Sequence, residues 1–583
     1  MKTPEMKVPA LLLAVAITFG AFAERVPVWP EGKMPYAQNH QIAAMTDEAG
    51  QPGFKADEHR WPYLEWFAPP AEEVANGGVV MLVSGGSYQC CCDVGLIKDW
   101  NEKLTGIGFQ CVNFVYRTPR PEGLPIYQTA WADGQRAVRL VREEAAKRGL
   151  DVKRVGVFGM SAGSHLTLLL ATSSTTNAYE KVDELDEKPC NIDFAITGAI
   201  AYAADDGIGV PNSRGGYAID VKLDKCFLFD EKTAPICMLH GGLDPYSPAS
   251  STLTYREYRK KKVPAELHLY SDRWHGGFWQ DNWWESVQGF LRQMNYDNRL
   301  AANWTTIYKQ TPDDLDRAKY EKYDLWPEGK MPDAQAHQCT PYIEWHTPTN
   351  LTTKAIQIIY SGGSYNGNGT DSFEVMPMRR FLNRKGMTVV TMKYRTPRPK
   401  GLAKHTTAWQ DLQRCIRVVR SEAAKRGLDP DRIGIMGSSA GGHLTMMGVT
   451  SSMSQSYSPI DDIDKIPCNV QWGIAIYPAY GLTDGAEAPN ARGGNFDDAL
   501  LVPEFVFDSQ TCPVVFMHGD ADGWAAMNSV KAWEKMRQMG IQSDLHTFAT
   551  REHCFQARPT EGTGSWTWMN RAWEFLTHKG FNK

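Results

Sequence analysis

The sequence predicts two tandem α/β domains, each a mostly parallel sheet with helices on both faces. Short apolar runs alternate with amphipathic segments, and one order of motifs occurs twice in the chain. YRTPRP begins at Tyr116 and at Tyr394, and EAAKRGLD begins at Glu144 and at Glu422, so both strings recur at the same offset of 278. A period of about 20 to 50 residues would indicate a solenoid, whereas this period is that of a whole domain.

The individual elements follow from local pattern. Apolar runs with the length of buried parallel strands lie in the first copy at 79–83, 112–115, 155–158, 195–202, 236–239 and 267–270. Segment 130–148 places Trp131, Val138 and Val141 on one helical face and ends at Gly149, a residue typical of helix ends. The second copy repeats this order, which predicts a parallel sheet in each copy.

Domain boundaries follow from a second repeated string. WPEGKMP occurs at Trp29 and at Trp326, a wider offset than that of the other motifs, so the first copy contains about 20 additional residues, which we place in the polar stretch 44–60. Charged residues and turn chemistry predict a linker over 299–320. The domains are then expected at 24–298 and 321–583.

Residues 1–23 are typical of a secretory signal peptide. Lys2 and Lys7 precede an apolar run, 10–22, that ends in an A-x-A cleavage pattern. The run is too short to span a bilayer. The cleavage point has no cysteine, so a lipid anchor is not indicated. We expect cleavage after Ala23, a secreted or periplasmic protein, and no membrane anchoring once the signal is removed.

Composition argues against several partners. The net charge of -5 with 22% charged residues does not favour nucleic-acid binding. Of the 12 cysteines only Cys190 and Cys468 match at the repeat offset, so most are expected to act as small core residues rather than as a shared disulfide framework. No paired Cys-x-x-Cys or His-x3-His motif indicates zinc, so no metal or cofactor is predicted.

Two serines stand in the pattern of an exposed nucleophile. Ser161 and Ser439 each occupy a G-x-S-x-G motif between an apolar strand and a helical run, and they match each other at the repeat offset. A turn that presents a serine this way is strained and needs small neighbours. One such motif is weak support, but two in register and in the same context are strong.

An acid and a histidine accompany each serine at the same offset. Asp244 and Asp522 follow the strand after the serine helix, and His275 and His553 each come one further strand later in the chain. This order supplies a base for the serine and a carboxylate to orient that base. Asp520 competes with Asp522, but it aligns with Gly242, so Asp522 is chosen; His240 and His518 are interpreted as structural.

Donors for an oxyanion are expected from two places in each copy. One is the residue after the serine, Ala162 or Ala440. The other is an early loop, SGGSY, which in the first copy offers Gly86 and Ser87 and in the second Gly363 and Ser364. The alternative for the loop is a plain tight turn.

Aromatic residues near these motifs are candidates for substrate binding, since aromatic faces stack on sugar rings. They are Tyr88, Tyr246, Trp274, Tyr365 and Trp524. Filling of the core is the alternative for each. For the arginines of the two RTPRP loops, holding the loop is favoured over binding of uronate carboxylates.

The run of WPEG, SGGSY, YRTPRP, the D-x-Q-R helix, G-x-SAG-x-H and HG-x-x-D resembles the exported α/β-hydrolases related to acetyl xylan esterases and bifunctional acetylxylan/feruloyl esterases. The resemblance covers nearly all of both copies and implies two tandem α/β-hydrolase domains that remove acetyl or feruloyl groups from plant polysaccharide. Gly-Gly-Ser-Tyr in place of Gly-Gly-Gly-Tyr, Ser164 after SAG, and Cys554 after the second histidine depart from that pattern.

Two alternatives remain open. A peptidase of the prolyl-oligopeptidase type shares the Ser, Asp, His order, although it usually carries a propeller or gating domain, which finds no room between the copies. The second alternative is a chain in which one copy is catalytic and the other binds glycan without catalysis. The acyl group, the glycan backbone and the oligomeric state do not follow from the sequence.

Overall fold

A computed structural model describes residues 24–40, 61–91, 94–205, 221–297, 320–336, 339–483, 499–549, 551–557 and 562–583. The signal peptide over 1–23 and the insertion placed at 44–60 lie outside these residues, as does nearly all of the linker placed at 299–320. The domain boundaries therefore stay predictions.

The first copy alternates strands and helices in the predicted order. Its strands are β1 (Glu24–Pro27), β2 (Tyr63–Trp66), β3 (Val79–Val83), β4 (Gln110–Val115), β5 (Val155–Met160), β6 (Phe194–Gly198), β7 (Ala204–Asp205), β8 (Lys222–Leu223), β9 (Ile236–Gly241) and β10 (Ala265–Tyr270). Its helices are α1 (Val94–Gly106), α2 (Gln128–Lys147), α3 (Ala162–Thr172), α4 (Ala249–Lys261) and α5 (Trp283–Gln293).

The second copy repeats this order. Its strands are β11 (Glu321–Asp324), β12 (Tyr342–His346), β13 (Ile356–Tyr360), β14 (Thr388–Lys393), β15 (Ile433–Ser438), β16 (Trp472–Ile476), β17 (Leu482–Thr483), β18 (Leu500–Leu501), β19 (Val514–Gly519) and β20 (Asp544–Phe548). Its helices are α6 (Met376–Arg384), α7 (Thr406–Ala423), α8 (Ala440–Thr450), α9 (Met527–Gln538) and α10 (Trp568–His578).

Each copy forms a mostly parallel half-sheet. In the first, the order is β1-β2-β4-β3-β5-β6-β9-β10, and every pair from β4 to β10 is parallel. All five side chains of β3 are buried, as expected where helices cover both faces and the strand needs no polar alternation. The predicted fold of two tandem α/β domains is confirmed. The sequence analysis missed β1 and β2, which add to the edge in antiparallel orientation.

The two half-sheets join into one sheet of 16 strands. The junction is antiparallel pairing of β10 with β20, in which His268 lies opposite His546 and Leu269 opposite Leu545. These histidines are separated by the repeat offset of 278. Equivalent residues therefore meet, which places a local two-fold axis at the junction.

Polar contacts cross the junction in matched pairs. Glu266 accepts a hydrogen bond from the Ala549 N–H at 3.1 Å, and its equivalent Asp544 accepts one from the Ser271 N–H at 2.9 Å. On the adjoining helices, Arg256 of α4 forms an ion pair with Glu534 of α9, which occupies the equivalent position in the second copy. Because these buried carboxylates accept hydrogen bonds, the interface does not leave their oxygens unsatisfied.

Asp520 belongs to this junction. Its carboxylate receives the Tyr255 hydroxyl at 3.0 Å and forms an ion pair with Arg259 at 2.6 Å. Both partners come from the first copy. Asp520 therefore contacts the other domain, whereas Gly242 at the equivalent position accepts a hydrogen bond from Arg537 through its carbonyl oxygen.

The antiparallel junction determines where the carboxyl ends of the strands lie in each copy. The carboxyl ends of parallel strands carry the loops that form sites in such sheets. Because β10 and β20 run in opposite directions, these ends lie at opposite edges of the continuous sheet. The two candidate sites are therefore placed at opposite edges of the sheet.

Within the described ranges, no helix has both the length and the apolar character needed to cross a membrane.

Charge reversal tests the junction. We expect Arg256→Glu to destabilise the chain by about 2 kcal/mol or more, because it sets two carboxylates together in a partly buried contact. The double variant Arg256→Glu/Glu534→Arg exchanges the charges across the two-fold axis and should recover most of that loss. Thermal unfolding of the three proteins measures this, and an unrecovered double variant would contradict the symmetric contact.

Candidate active site

Both serines occupy the strained turn that the motif predicts. Ser161 lies between β5 and α3 with φ 57° and ψ -119°, and Ser439 lies between β15 and α8 with φ 55° and ψ -119°. A Cβ on Gly159 or on Gly437 would approach the carbonyl oxygen of the glycine one turn further on to 2.3 Å. Only glycine fits there, which accounts for the first position of the motif.

The second copy assembles all three candidate triad residues. His553 Nε2 lies 2.8 Å from Ser439 Oγ, and its Nδ1 lies 2.8 Å from Asp522 Oδ2. Asp522 is buried and also receives the Trp524 N–H at 2.7 Å. Burial opposes ionisation of Asp522, but hydrogen bonds from His518 and His553 outweigh it and lower its pKa. The carboxylate thus holds Nδ1 protonated and leaves Nε2 to accept the serine proton.

The first copy assembles the acid and the histidine. His275 Nδ1 lies 2.8 and 3.0 Å from the two oxygens of Asp244. Burial opposes ionisation of Asp244 too, yet hydrogen bonds from His240 and His275 bring its pKa to about 2. Within the described residues, Ser161 Oγ makes no hydrogen bond to His275. The two sites therefore differ at the contact between serine and base.

The SGGSY loops adopt left-handed backbone at three successive positions. In the second copy Gly363, Ser364 and Tyr365 have φ of 88°, 54° and 61°, and Gly86, Ser87 and Tyr88 also have positive φ in the first. Among the described contacts, no hydrogen bond uses the N–H of Gly363, Ser364 or Ala440. The same holds for Gly86, Ser87 and Ala162. These amides remain available as donors beside each serine.

Arginine side chains hold the loops. Arg120 Nε donates to the Ser87 carbonyl at 2.8 Å, and Arg398 Nε donates to the Ser364 carbonyl at 2.8 Å. Arg117 and Arg395 instead pair with the buried Asp133 and Asp411. These contacts are those of loop support, the interpretation favoured for these arginines.

Tyr88 and Tyr365, which are predicted to bind substrate, are buried in the structure, and their contact with substrate stays a prediction. Both are 1% exposed, and their hydroxyls hydrogen bond to Nδ1 of His165 and His443 at 2.8 Å. Both tyrosines have left-handed backbone, with φ of 59° and 61°. Both histidines end the G-x-SAG-x-H motifs, one helical turn after the serines, but the sequence did not indicate their role.

Of the other aromatic candidates, Tyr246 lies beside a candidate triad histidine. The Tyr246 ring is 4.9 Å from that of His275, and the Trp524 ring is 4.5 Å from that of Tyr480. Trp274 is 64% exposed. Their contact with substrate stays a prediction.

A buried glutamate in the second site was not foreseen. Glu374 Oε2 accepts the Gly362 N–H of the SGGSY loop at 2.7 Å, and its Oε1 receives the Tyr477 hydroxyl at 3.2 Å. Burial raises the pKa of this carboxyl. The Tyr477 ring lies 4.7 Å from His553, so the glutamate and the tyrosine connect the loop to the candidate base. Neither residue belongs to a motif, so no sequence signal marked them.

The wall beside the triad is polar in the second copy and apolar in the first. In the second, Tyr477, Cys554 and Gln556 surround the site, and Gln556 Nε2 donates to Ser438 Oγ at 2.8 Å. At the repeat offset the first copy has Ala199, Gly276 and Phe278 for these three residues and Met160 for Ser438. The space left by Gly276 is taken by Met160 and Trp279, whose atoms would lie 3.1 and 3.3 Å from a Cβ there.

A family model named BD-FAE matches residues 64–205 and 343–499, which is just over half of the chain. The chain belongs to the BD-FAE family. The matched segments contain both serines and both SGGSY loops, and they end before the candidate acids and bases.

Curated relatives are more distant. The chain is similar to an acetylxylan esterase of Xylanibacter ruminicola, with 24% identity over 232 residues, 38% of this chain and 43% of the relative. It is similar to the probable carboxylic ester hydrolase LipM of Mycobacterium tuberculosis, with 25% identity over 216 residues, 34% of this chain and 49% of the relative. The chain thus spans less than half the length of these relatives.

Solved structures of ester hydrolases also match. An acetyl ester-xyloside bifunctional hydrolase from Caldicellulosiruptor lactoaceticus has 22% identity and a TM-score of 0.38, covering 45% of this chain and 97% of that protein. The apo form of Thermogutta terrifontis esterase 2 has 20% identity and a TM-score of 0.37, covering 47% of this chain and 99% of that protein.

The difference between the serines is testable. We expect an alkyl fluorophosphonate to label Ser439 several-fold faster than Ser161, because only Ser439 Oγ contacts an imidazole among the described residues. Mass spectrometry of the two active-serine peptides over time measures both rates. His553→Ala should abolish labelling of Ser439 and leave Ser161 unchanged; equal rates in the unmodified chain would contradict the assigned asymmetry.

Proposed function

We propose that this chain is a secreted serine esterase that hydrolyses ester groups, acetyl or feruloyl, on plant polysaccharide or oligosaccharide, with one Ser-Asp-His triad in each domain. The observation that carries the proposal is the continuous hydrogen-bonded series Ser439, His553, Asp522. Membership of the BD-FAE family and the ester-hydrolase relatives support the reaction class. Substrate class rests on the acetylxylan esterase relative and on the motif resemblance.

The proposed reaction proceeds through an acyl-enzyme. His553 Nε2 takes the proton of Ser439 as Oγ attacks the ester carbonyl carbon. The N–H groups of Gly363, Ser364 and Ala440 receive the oxyanion, and the sugar hydroxyl leaves with the proton from His553. Water, activated by the same imidazole, then attacks the acyl carbonyl and releases the acid. Ser161, His275 and Asp244 take these roles in the first copy, with Gly86, Ser87 and Ala162 as donors.

The packing behind the candidate histidines differs between the copies, with buried Phe278 and Met160 in the first and buried Tyr477 and Gln556 in the second. We propose that the copies divide labour between esters and act independently, as sites at opposite sheet edges do. The signal-peptide pattern over 1–23 supports export.

Serine replacement tests the assignment. We expect Ser161→Ala and Ser439→Ala each to remove part of p-nitrophenyl acetate hydrolysis. In the double variant, kcat/KM should fall by about 1000-fold or more. Acetylated and feruloylated xylo-oligosaccharides given to each single variant then report the preference of the remaining copy. Activity that survives in the double variant would refute both triads, and a loss confined to one single variant would make the other copy auxiliary.

Glu374 is expected to position the oxyanion loop. In a Ser161→Ala background, Glu374→Ala should lower kcat by about 10- to 100-fold with a smaller change in KM, because the Gly362 N–H loses its acceptor and the neighbouring donors shift. Glu374→Gln keeps an acceptor oxygen and should retain most of kcat. Steady-state kinetics measure both, and circular dichroism checks folding; equal loss in the two variants would indicate a role for the charge instead.

A further inference from the structure

Behind the second SGGSY loop lies a cluster of two histidines and a glutamate. His405 immediately precedes α7, His443 lies on α8, and Glu504 follows β18. One nitrogen from each imidazole and a carboxylate oxygen lie within 4.8 Å of one another. His443 Nε2 is 3.2 Å from Glu504 Oε1, and His405 Nδ1 is 3.6 Å from the same oxygen.

These separations are those of ligands around one small cation. Zinc bonds to imidazole nitrogen and carboxylate oxygen at about 2.0 to 2.2 Å, and a tetrahedron with such bonds sets its ligand atoms about 3.4 Å apart. The two observed distances bracket that value. The two imidazole nitrogens lie within 4.8 Å of each other, and two imidazoles with one carboxylate leave a fourth position for water.

Only one of the two metal-facing nitrogens lacks a hydrogen bond: His443 Nε2 hydrogen bonds to Glu504 Oε1 at 3.2 Å, a contact that a bound ion would replace. His405 Nδ1 is buried and makes no hydrogen bond within the described part of the chain. Nδ1 of His443 is occupied by the Tyr365 hydroxyl at 2.8 Å, and such an outer contact commonly orients a metal-binding imidazole.

We propose that His405, His443 and Glu504 bind a divalent transition metal ion of the zinc type, and that this ion fastens the second SGGSY loop through His443 and Tyr365. The site lies outside the triad. Its role is structural: the ion fixes the His443 imidazole, and the imidazole fixes the loop tyrosine.

The first copy supplies an internal control. At the repeat offset it has Tyr127, His165 and Cys226 in place of the three ligands. One opposing feature exists in the second copy: Lys404, a cation near Glu504 and His443, where the first copy has Ile126. Removing this charge should therefore strengthen metal binding.

Zinc titration of the full chain tests the site. After dialysis against a chelator, we expect calorimetry with zinc chloride to give one tight site per chain and thermal unfolding to shift upward by several degrees. His405→Tyr and Glu504→Gln should each weaken binding by about 100-fold or more and remove the shift, since each deletes a ligand. Lys404→Ile should tighten binding, and Cys226→Ser, the matched change in the first copy, should leave it unchanged.

Cobalt substitution identifies the ligands independently of folding effects. Co²⁺ at this site should give visible ligand-field bands without the near-ultraviolet charge-transfer band of a thiolate, because no cysteine belongs to the set. Circular dichroism of the metal-free variants checks that they fold. The proposal is overturned by a chain that binds no zinc at micromolar concentration, by zinc binding that both ligand variants retain, or by a thiolate band.

Discussion

The pairing of β10 with β20 is the interaction on which the rest of the arrangement depends. Because His268 and His546 are equivalent residues, their pairing sets a two-fold axis between the copies. The axis brings Arg256 against Glu534 and lets Glu266 and Asp544 cap backbone amides of the opposite copy. It also turns the carboxyl ends of the two parallel half-sheets to opposite edges. A single strand pair thus fixes both the interface and the placement of the two candidate sites.

Much of the fold and of the site was predictable because it is encoded locally. Strands such as β3 are continuous apolar runs, and the strained serines require the glycines that mark them. The repeat offset selected Asp522 over Asp520 without knowledge of any contact. What it could not predict is what Asp520 does, since its partners Tyr255 and Arg259 are distant in the chain and belong to the other domain.

The same limit applies to Tyr88 and Tyr365, for which substrate contact is predicted. Tyr88 and Tyr365 follow glycines beside the candidate donors, so sequence position alone favoured substrate contact. Their direction depends on left-handed backbone and on a histidine from the serine helix, neither of which the motif reveals. Glu374 is likewise brought to Gly362 by the fold, and its residue type carries no signal outside that contact.

The residues that support the SGGSY loops are shared by the two copies, whereas the residues around that support differ. Arg120 and Arg398 hold the same loop carbonyl, and Tyr88 and Tyr365 meet equivalent histidines, so this inner support is common to both copies. The residues one layer further out differ, with Tyr127 and Cys226 in one copy and His405 and Glu504 in the other. A change in that outer layer leaves the donors in place and alters only how firmly the histidine is held. Divergence there can therefore tune one site without disturbing the geometry that both require.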